Sequence, residues 1–523
     1  MRRGDSFWRI FVLTRRNSGR LLLLVSFCIG FLTIYWCSQG DEADNLVAGT
    51  LIARGSVLYR DIFSHHFPFP YYWVALFISL FGKSIFWIRA SLWLFQIASL
   101  GIAMELSGYY LAFGYTALIW SVIRSFYQGN LVLYSSFCAP SVLVIFAVVL
   151  AALQNRIALR WKHCLAIALF SVISFLSDPL SIYAIAIAVI FLFTYDPRKA
   201  VKSITGIVIG LCCFVMILTF TGELRDFVSE ALLFNSQIYS KYRNTSPIKL
   251  VDIIEMSIKG LDVTDKNWFN FDPFKKMTSL TDFDSWFYTG FFFRFVIMVC
   301  TAFLAVKKDY RTAAFVYLFA ASLLIIDKGT FRTQPFIMVS LTVISSVISG
   351  EFWPGEIKEA MRTAQRTLAL LSCLIVAWVM IKSVNIYAKN RRLLSYEANF
   401  GAFEEDSRKV KLYACGQSNV KLAIYPAAIY FHWFTDLKPV SKYLFMFPWV
   451  AEIAMGDVIR ELDKKDELAI VRVDYDTPVW DKYVPKEYLS PVIEYLESHY
   501  AKLTNDTFIS PELLTRCQDA EKR

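Results

Sequence analysis

The sequence predicts a mainly α-helical protein, in which a polytopic bundle of membrane-spanning helices is followed by a small α/β domain. Hydrophobic residues make up 56% of the 523 residues and charged residues only 19%, whereas soluble chains average about 45–50% apolar and about 25% charged. Apolar runs of spanning length recur up to residue 384, and the rest of the chain lacks them. These observations exclude a disordered chain, a coiled coil and a single soluble domain.

Eleven apolar runs are predicted to cross the membrane. The first, at 21–37, follows six arginines and precedes a substantial polar loop, which favours a retained helix over the alternative of a cleaved signal peptide. A shorter run at 69–82 is marginal as a span, and the count becomes twelve or thirteen if marginal pieces also cross. The other ten runs lie at about 85–106, 108–122, 131–153, 163–177, 180–194, 201–221, 287–305, 311–326, 334–349 and 366–384.

Basic loops set the predicted orientation, because lysine and arginine collect on the cytoplasmic side. Four short loops are rich in them, at 154–162, 195–202, 306–311 and 350–365. All four become cytoplasmic when eleven runs cross and the marginal run does not. The N-terminus is then cytoplasmic. The outer face of the cell (inner) membrane then carries the first outer loop at 38–84, the second outer loop at 222–285, the short turn at 327–333 and the C-terminal domain.

The net charge of +10 is therefore explained mainly by basic residues in the predicted cytoplasmic loops. No basic tract is interleaved with aromatic residues along a soluble face, so no nucleic-acid partner is expected. The lipid bilayer is the expected surrounding of the chain.

The chain changes character after the predicted transmembrane domain, which covers 1–384. Charged runs and turn residues dominate the remainder, 385–523, and short apolar runs there predict buried strands. Strands are predicted at 421–425 and 468–473, and helices at 457–462 and 491–500. Together they predict a small extracytoplasmic α/β domain.

Cysteine usage indicates neither a disulfide framework nor a zinc site. Eight of the ten cysteines lie in or beside apolar runs, where cysteine behaves as a small hydrophobe. Only Cys415 and Cys517 lie in polar sequence, and a disulfide between them would fit an oxidising compartment. No His/Cys cluster has zinc spacing. The sequence assigns no metal ligands and leaves a requirement for a divalent cation open.

Three carboxylates, Asp41, Glu42 and Asp44, directly follow the first predicted span. One interpretation is a solvated helix terminus, because acidic residues stabilise the start of a helix, here predicted at 45–54. The other is a general base at the membrane boundary, where partial burial tunes the pKa of a carboxyl.

The rest of the first outer loop favours the second interpretation. It holds the cations Arg54 and Arg60, the adjacent His65 and His66, and an aromatic-proline stretch that leads to Tyr71. A lipid phosphate requires such donors at headgroup height beside an apolar groove. The alternative for the two histidines is interfacial packing, since histidine has a polar tip on an apolar body.

Residues 38–95 resemble the GT-C superfamily of membrane glycosyltransferases. The resemblance rests on the acidic start of the loop, on the run from Tyr59 to Phe63, on His65-His66-Phe67-Pro68 with Tyr71-Tyr72-Trp73, and on Phe81-Gly82-Lys83-Ser84 followed by Arg89. It is strongest with the bacterial branch related to protein mannosyltransferases and aminoarabinose transferases. The rest of the chain matches only in architecture, and an analogy of fold alone is weaker support for function.

The resemblance implies a donor of the polyprenyl-phosphate-sugar type, an active site on the outer face, and a glycan, lipid or protein acceptor. It places the catalytic base on Asp41, with Glu42 as a neighbour that shapes the site or binds the acceptor. The residues assigned to substrate binding are Asp44, Arg60, His65, His66, Tyr71 and Arg332. For Arg332, an interfacial anchor is an equal alternative.

Two features set limits on the resemblance. Many relatives carry a second acidic residue near the position of residues 138–141, and this sequence has none there. Asp178 either replaces it or caps the following helix. Three residues of the second outer loop, Asn235, Gln237 and Tyr239, either line an acceptor groove or belong to an amphipathic interfacial helix.

A single carboxylate suffices for sugar transfer from a phosphate carrier. A glycosidase uses two because it must protonate a poor leaving group, whereas a phosphate leaves readily and needs only a base for the acceptor and cations for the departing charge. Attack in line with the leaving group inverts the anomeric centre.

Two other classes of function compete with the enzyme. A transporter or lipid-linked-glycan flippase should place charges or broken helices near the midplane. The predicted spans are nearly free of charge, apart from Arg89 and Glu105 near the two ends of one span. The third class is a non-catalytic scaffold or receptor that uses the C-terminal domain.

Overall fold

Helices account for most of the chain, and one small sheet lies near its C-terminus. The computed structural model describes residues 4–38, 40–242, 291–324, 334–352, 359–464, 467–479 and 482–521. The chain divides into two compact units. The first consists of Met1–Cys37, Ile85–Ile217 and Ile248–Leu394, and the second of Ser38–Ser84, Leu218–Pro247 and Ser395–Arg523.

The first unit is built from apolar helices. Its helices are α1 (Gly4–Gly30), α4 (Ile85–Ser107), α5 (Tyr110–Ile123), α6 (Tyr134–Leu153), α7 (Trp161–Ser177), α8 (Ile182–Tyr195), α9 (Pro197–Phe220), α10 (Phe291–Val306), α11 (Tyr310–Leu324), α12 (Gln334–Ile348) and α13 (Glu359–Lys389). Short 3₁₀ turns stand at Phe31–Thr33, Arg124–Tyr127, Pro179–Ser181 and Arg391–Leu394. All twenty residues of α6 are buried, which makes this helix the centre of the unit.

Each of the eleven predicted runs coincides with one of these helices. Among the described residues, four helical stretches are long and apolar enough to cross a membrane, namely α4, α6, α9 and residues 366–389 of α13, and five apolar helices are shorter. The chain is therefore a multi-pass membrane protein. The start of the first helix differs from the prediction, since α1 begins at Gly4 rather than at residue 21. Arginine and leucine are good helix formers, so the helix continues through the basic segment that the apolar pattern does not mark.

Both charged residues of α4 have partners within the first unit. Arg89 is 1% exposed, and its guanidinium donates to the carbonyl oxygens of Ile34 at 2.8 Å and Cys37 at 2.9 Å. Glu105 pairs with Arg16 at 3.0 Å and with Arg20 at 2.7 Å. Arg89 thus hydrogen-bonds to carbonyl groups at the end of the first helix that have no partner within the helix. Its role is structural.

The second unit combines the first outer loop with the C-terminal part of the chain. Its helices are α2 (Gly40–Ala53), α3 (Phe69–Phe81), α14 (Ala402–Leu412), α15 (Tyr430–Thr435), α16 (Pro448–Leu462), α17 (Pro485–Tyr488), α18 (Ser490–His499) and α19 (Pro511–Glu521). A helical segment at 224–242 mixes α turns at Leu224–Phe227 and Ser240–Tyr242 with π turns at Val228–Leu233 and Asn235–Tyr239, and a further π turn stands at Glu397–Gly401.

Five strands form the sheet in the order β2-β1-β3-β5-β4. They are β1 (Lys421–Tyr425), β2 (Lys438–Pro439), β3 (Ala469–Val473), β4 (Ala501–Lys502) and β5 (Thr507–Ile509). Strands β1, β2 and β3 run parallel, and β5 pairs antiparallel with both β3 and β4. The predicted strands are confirmed, as are the predicted helices, which correspond to the end of α16 and to α18.

A disulfide joins Cys415 to Cys517, the one pair for which the sequence left a disulfide open. It links the turn after α14 to α19. The pair closes a loop of 102 residues in sequence, so its loss would enlarge the conformational freedom of the unfolded chain.

Candidate active site

Helix α2 carries the acidic cluster. It begins at Gly40, five residues before the predicted helix, so that Asp41 and Glu42 lie in its first turn, where a carboxylate is stabilised by the helix dipole. Asp41 is half-buried, whereas Glu42 is 0% and Asp44 4% exposed. The helix packs against α3 through Gly49, where an added Cβ would lie 2.4 Å from Cγ1 of Val74.

Asp44 belongs to a buried chain of hydrogen bonds. The Tyr71 hydroxyl donates to one of its carboxylate oxygens at 2.7 Å, and the Ser64 hydroxyl lies 2.7 Å from the Tyr71 hydroxyl. The other carboxylate oxygen is buried and has no hydrogen-bond partner among the described residues. Burial raises the pKa of Asp44 to about 7, the Tyr71 bond opposes that rise, and the charge of Asp41 adds to it. Asp44 therefore exchanges a proton near neutral pH.

Glu42 is held by the C-terminal part of the second unit. Its carboxylate accepts a hydrogen bond of 2.9 Å from the hydroxyl of Tyr430, which lies on α15. A fully buried carboxylate of this kind can shape a site but cannot reach an acceptor without a rearrangement. Of the three acidic residues on α2, Asp41 is the least buried.

The segment before His65 is tied to two distant parts of the chain. The backbone N–H of Phe63 donates to the carbonyl of Lys442 at 2.9 Å, and that of Ser64 donates to the carboxylate of Glu230 at 3.2 Å. The Lys442 ammonium forms an ion pair with the same carboxylate. Burial raises the pKa of Glu230 to about 7, although Lys442 and the Ser64 N–H act in the opposite direction.

His65 lies within a group of aromatic rings. Its ring centroid is 4.0 Å from that of His66 and 4.9 Å from that of Tyr239, and the residue is 7% exposed. The side-chain amide of Asn235 donates to the carbonyl of His65 at 2.6 Å. The predicted contact of both histidines with a donor phosphate stays a prediction, and Asn235 supports the loop from the helical segment at 224–242.

The two arginines of the loop differ in their partners. Arg60 is exposed and forms two hydrogen bonds of 3.0 Å with the neighbouring Asp61. Arg54 pairs with Asp436 at 2.7 Å, and Lys83 meets the same carboxylate oxygen at 2.7 Å. Arg54 is thus engaged with the C-terminal part of its unit, and Arg60 has the freer side chain. Arg332 lies outside the described residues.

Several residues of this site were not predicted from the sequence. Tyr430, Glu230 and Lys442 reach the first outer loop from positions more than 160 residues away in the chain, and no local motif marks them. Asp178 accepts a hydrogen bond of 3.0 Å from the backbone N–H of Leu180 and so acts as a helix cap. Over the described part of the chain, no group of three His, Cys, Asp or Glu side chains stands close enough to hold a metal ion.

The fold of this chain, a multi-pass helical unit with an acidic helix and a small C-terminal sheet, is shared with solved membrane glycosyltransferases that belong to the GT-C superfamily. The predicted resemblance is therefore confirmed at the level of fold. One structure to which the chain is similar is ArnT from Cupriavidus metallidurans, an aminoarabinose transferase.

ArnT bound to undecaprenyl phosphate superposes with a TM-score of 0.57 at 12% identity, over 94% of this chain and 98% of ArnT. Apo ArnT gives a TM-score of 0.54 at 11% identity, over 98% and 99% of the two chains. No protein-family model and no curated protein sequence matches this chain.

Proposed function

We propose that this protein is a membrane glycosyltransferase that moves a sugar from a polyprenyl-phosphate donor to an acceptor on the outer face of the inner membrane. The observation that carries the proposal is the acidic first turn of α2 on a chain with the GT-C fold. ArnT, which has this fold, was captured with undecaprenyl phosphate. That likeness supports a lipid-linked donor by analogy of fold.

In the proposed reaction, Asp41 is the general base. Asp41 is only half-buried at the start of α2, and in the proposed reaction an acceptor hydroxyl or amine approaches it and loses a proton to its carboxylate. Glu42, fixed by Tyr430, shapes the floor of the site. Asp44 and Tyr71 form a buried pair beneath the site, and their hydrogen bond fixes the position of α2 relative to α3.

The departing phosphate requires positive charge rather than an acid, because a phosphate is already a good leaving group. We assign this role to Arg60, His65 and His66, with Arg332 as a further cation. Arg60 supports the assignment through its exposure at the surface of the loop. Attack by the acceptor from the side opposite the phosphate inverts the anomeric centre. The acceptor is a glycan, a lipid or a protein.

The disulfide supports the proposed orientation. Disulfides persist mainly in oxidising compartments, and the Cys415–Cys517 bond lies in the second unit together with α2. By the positive-inside rule, the basic loops of the first unit belong on the cytoplasmic side. Both observations favour an extracytoplasmic site.

The test is sugar transfer by the full-length protein in lipid nanodiscs. A panel of radiolabelled undecaprenyl-phosphate sugars is given to wild type, to Asp41→Asn and to a matched control, Asp519→Asn. The control removes an exposed carboxylate on α19. We expect donor consumption by wild type and by the control, and a loss of roughly 10²–10⁴-fold in Asp41→Asn. Full activity in Asp41→Asn would show that the base is assigned wrongly. If wild type consumes no donor of the panel, the transferase proposal is wrong.

A further inference from the structure

A cleft of about 740 Å³ opens in the C-terminal α/β domain, within the second unit. It lies where the parallel strands β1 and β3 end, at Tyr425 and Val473. The crevice beyond the carboxyl ends of parallel strands is the usual ligand position in open α/β sheets. Its volume falls within the range of about 300–1,000 Å³ for small-molecule sites. None of the residues proposed for sugar transfer lines it.

Aromatic rings and charged groups share the lining of this cleft. The rings of Tyr425, Phe447 and Tyr475 provide flat apolar surface, while Arg472 and Asp476 provide a donor and an acceptor.

The polar groups of the cleft are held in place by the protein itself. The Arg472 Nε donates to Asp506 at 2.7 Å, and its guanidinium carbon lies 5.3 Å from the centre of the Phe431 ring. Asp474 accepts the backbone N–H groups of Asp476 and Thr477 at 3.2 and 3.1 Å, which fixes the turn after β3. A site whose groups are ordered before binding loses less entropy when the ligand arrives.

The charge of the lining selects among ligands. Four carboxylates, of Asp406, Asp474, Asp476 and Asp506, face one guanidinium. A phosphate or carboxylate ligand would meet net negative charge there and be repelled. An uncharged sugar ring, in contrast, offers hydroxyl pairs to carboxylate and guanidinium groups and an apolar C–H face to aromatic rings.

We propose that this cleft binds an uncharged saccharide unit and recognises the glycan portion of the acceptor. The acceptor role rests on the proposed transferase function, whereas saccharide binding itself does not. The cleft is separate from Asp41, so binding and transfer can be measured independently.

The experiment is saturation-transfer-difference NMR on the full-length protein in nanodiscs. Three neutral probes, maltotriose, mannotriose and chitotriose, are titrated into the millimolar range, and glucose 1-phosphate is the anionic comparator. We expect saturable binding of at least one neutral probe and weaker binding of the comparator. Asp476→Ala and Tyr475→Ala should each weaken that binding by roughly five- to tenfold, the effect of losing one well-placed polar or aromatic contact.

Asp476→Ala should leave the domain folded, because Asp476 is exposed and its contact with Asp474 uses the backbone. Asp519→Asn controls for surface charge, and Asp41→Asn should bind the probe as wild type does. The proposal is overturned if no neutral probe saturates, if glucose 1-phosphate binds as tightly, or if both cleft variants bind like wild type. Binding that persists without sugar transfer would instead count against the transferase function.

Discussion

Asp44→Asn should remove a large part of the pH dependence of stability of the second unit. The native pKa of Asp44 is raised by burial to about 7, against a reference value of 3.8. Between these two values the native protein binds more protons at this site than the unfolded chain does. The free energy of unfolding therefore falls as the pH rises through this window. The stabilisation that comes from protonated Asp44 is fully present below pH 3.8.

The magnitude follows from the two pKa values. A shift of one pKa unit corresponds to about 1.4 kcal/mol, so protonation of Asp44 should stabilise the native state by about 3 kcal/mol between pH 8 and pH 5. The second unit contains about two hundred residues. For a unit of that size each kcal/mol shifts Tm by roughly 2–4 °C, so Asp44 should contribute roughly 6–12 °C between these two pH values.

The assay is thermal unfolding of wild type and Asp44→Asn in detergent at pH 5, 6, 7 and 8. Asparagine can still accept the hydrogen bond of the Tyr71 hydroxyl, so the variant tests the charge and keeps the contact. Wild type should gain more from acidification than the variant does, whereas Asp519→Asn should follow wild type. Equal gains in wild type and Asp44→Asn would refute the buried, proton-exchanging Asp44.

Three further predictions concern contacts that hold the second unit together. Tyr430→Phe removes a hydrogen bond from buried Glu42 and should cost about 1–3 kcal/mol, seen as a lower Tm. Lys442→Met removes the cationic partner of Glu230 and should lower the free energy of unfolding by about 2 kcal/mol at pH 8, less than for a fully buried pair because the lysine is partly exposed. At pH 5 the loss should be much smaller, because Glu230 then holds a proton. Cys415→Ser removes the disulfide and should lower Tm at every pH by an amount equivalent to about 2–4 kcal/mol, while reductant should affect only wild type.

The helices of the first unit were predictable, because apolar runs of the kind that a bilayer favours can be recognised from local sequence alone. A run of about twenty apolar residues requires no knowledge of its neighbours, and each such run proved to be a helix. The basic first half of α1 was missed for the same reason, since its composition is not apolar although it is helical. Strands β1 and β3 were equally readable, as short apolar runs bounded by turn residues.

The site was predictable only in part. The acidic cluster and the histidine pair lie within one stretch of thirty residues and form a local pattern. The hydrogen-bond partners of this stretch lie far away in the sequence, since Tyr430 is 388 residues from Glu42 and Glu230 is 166 residues from Ser64. Pairing over such separations depends on how the C-terminal part of the unit folds against the loop. A single sequence contains no spacing that reports it.

The three carboxylates of α2 lie within four residues of one another and yet have different environments, which is the basis for their different roles in the proposed reaction. Tyr430 holds the buried Glu42, and burial raises the pKa of Asp44 to about 7. A neutral Asp44 removes a repelling charge from the neighbourhood of Asp41. In the proposed reaction Asp44 then stays in the buried network while Asp41 acts on the acceptor, a division of roles like that of paired catalytic carboxylates.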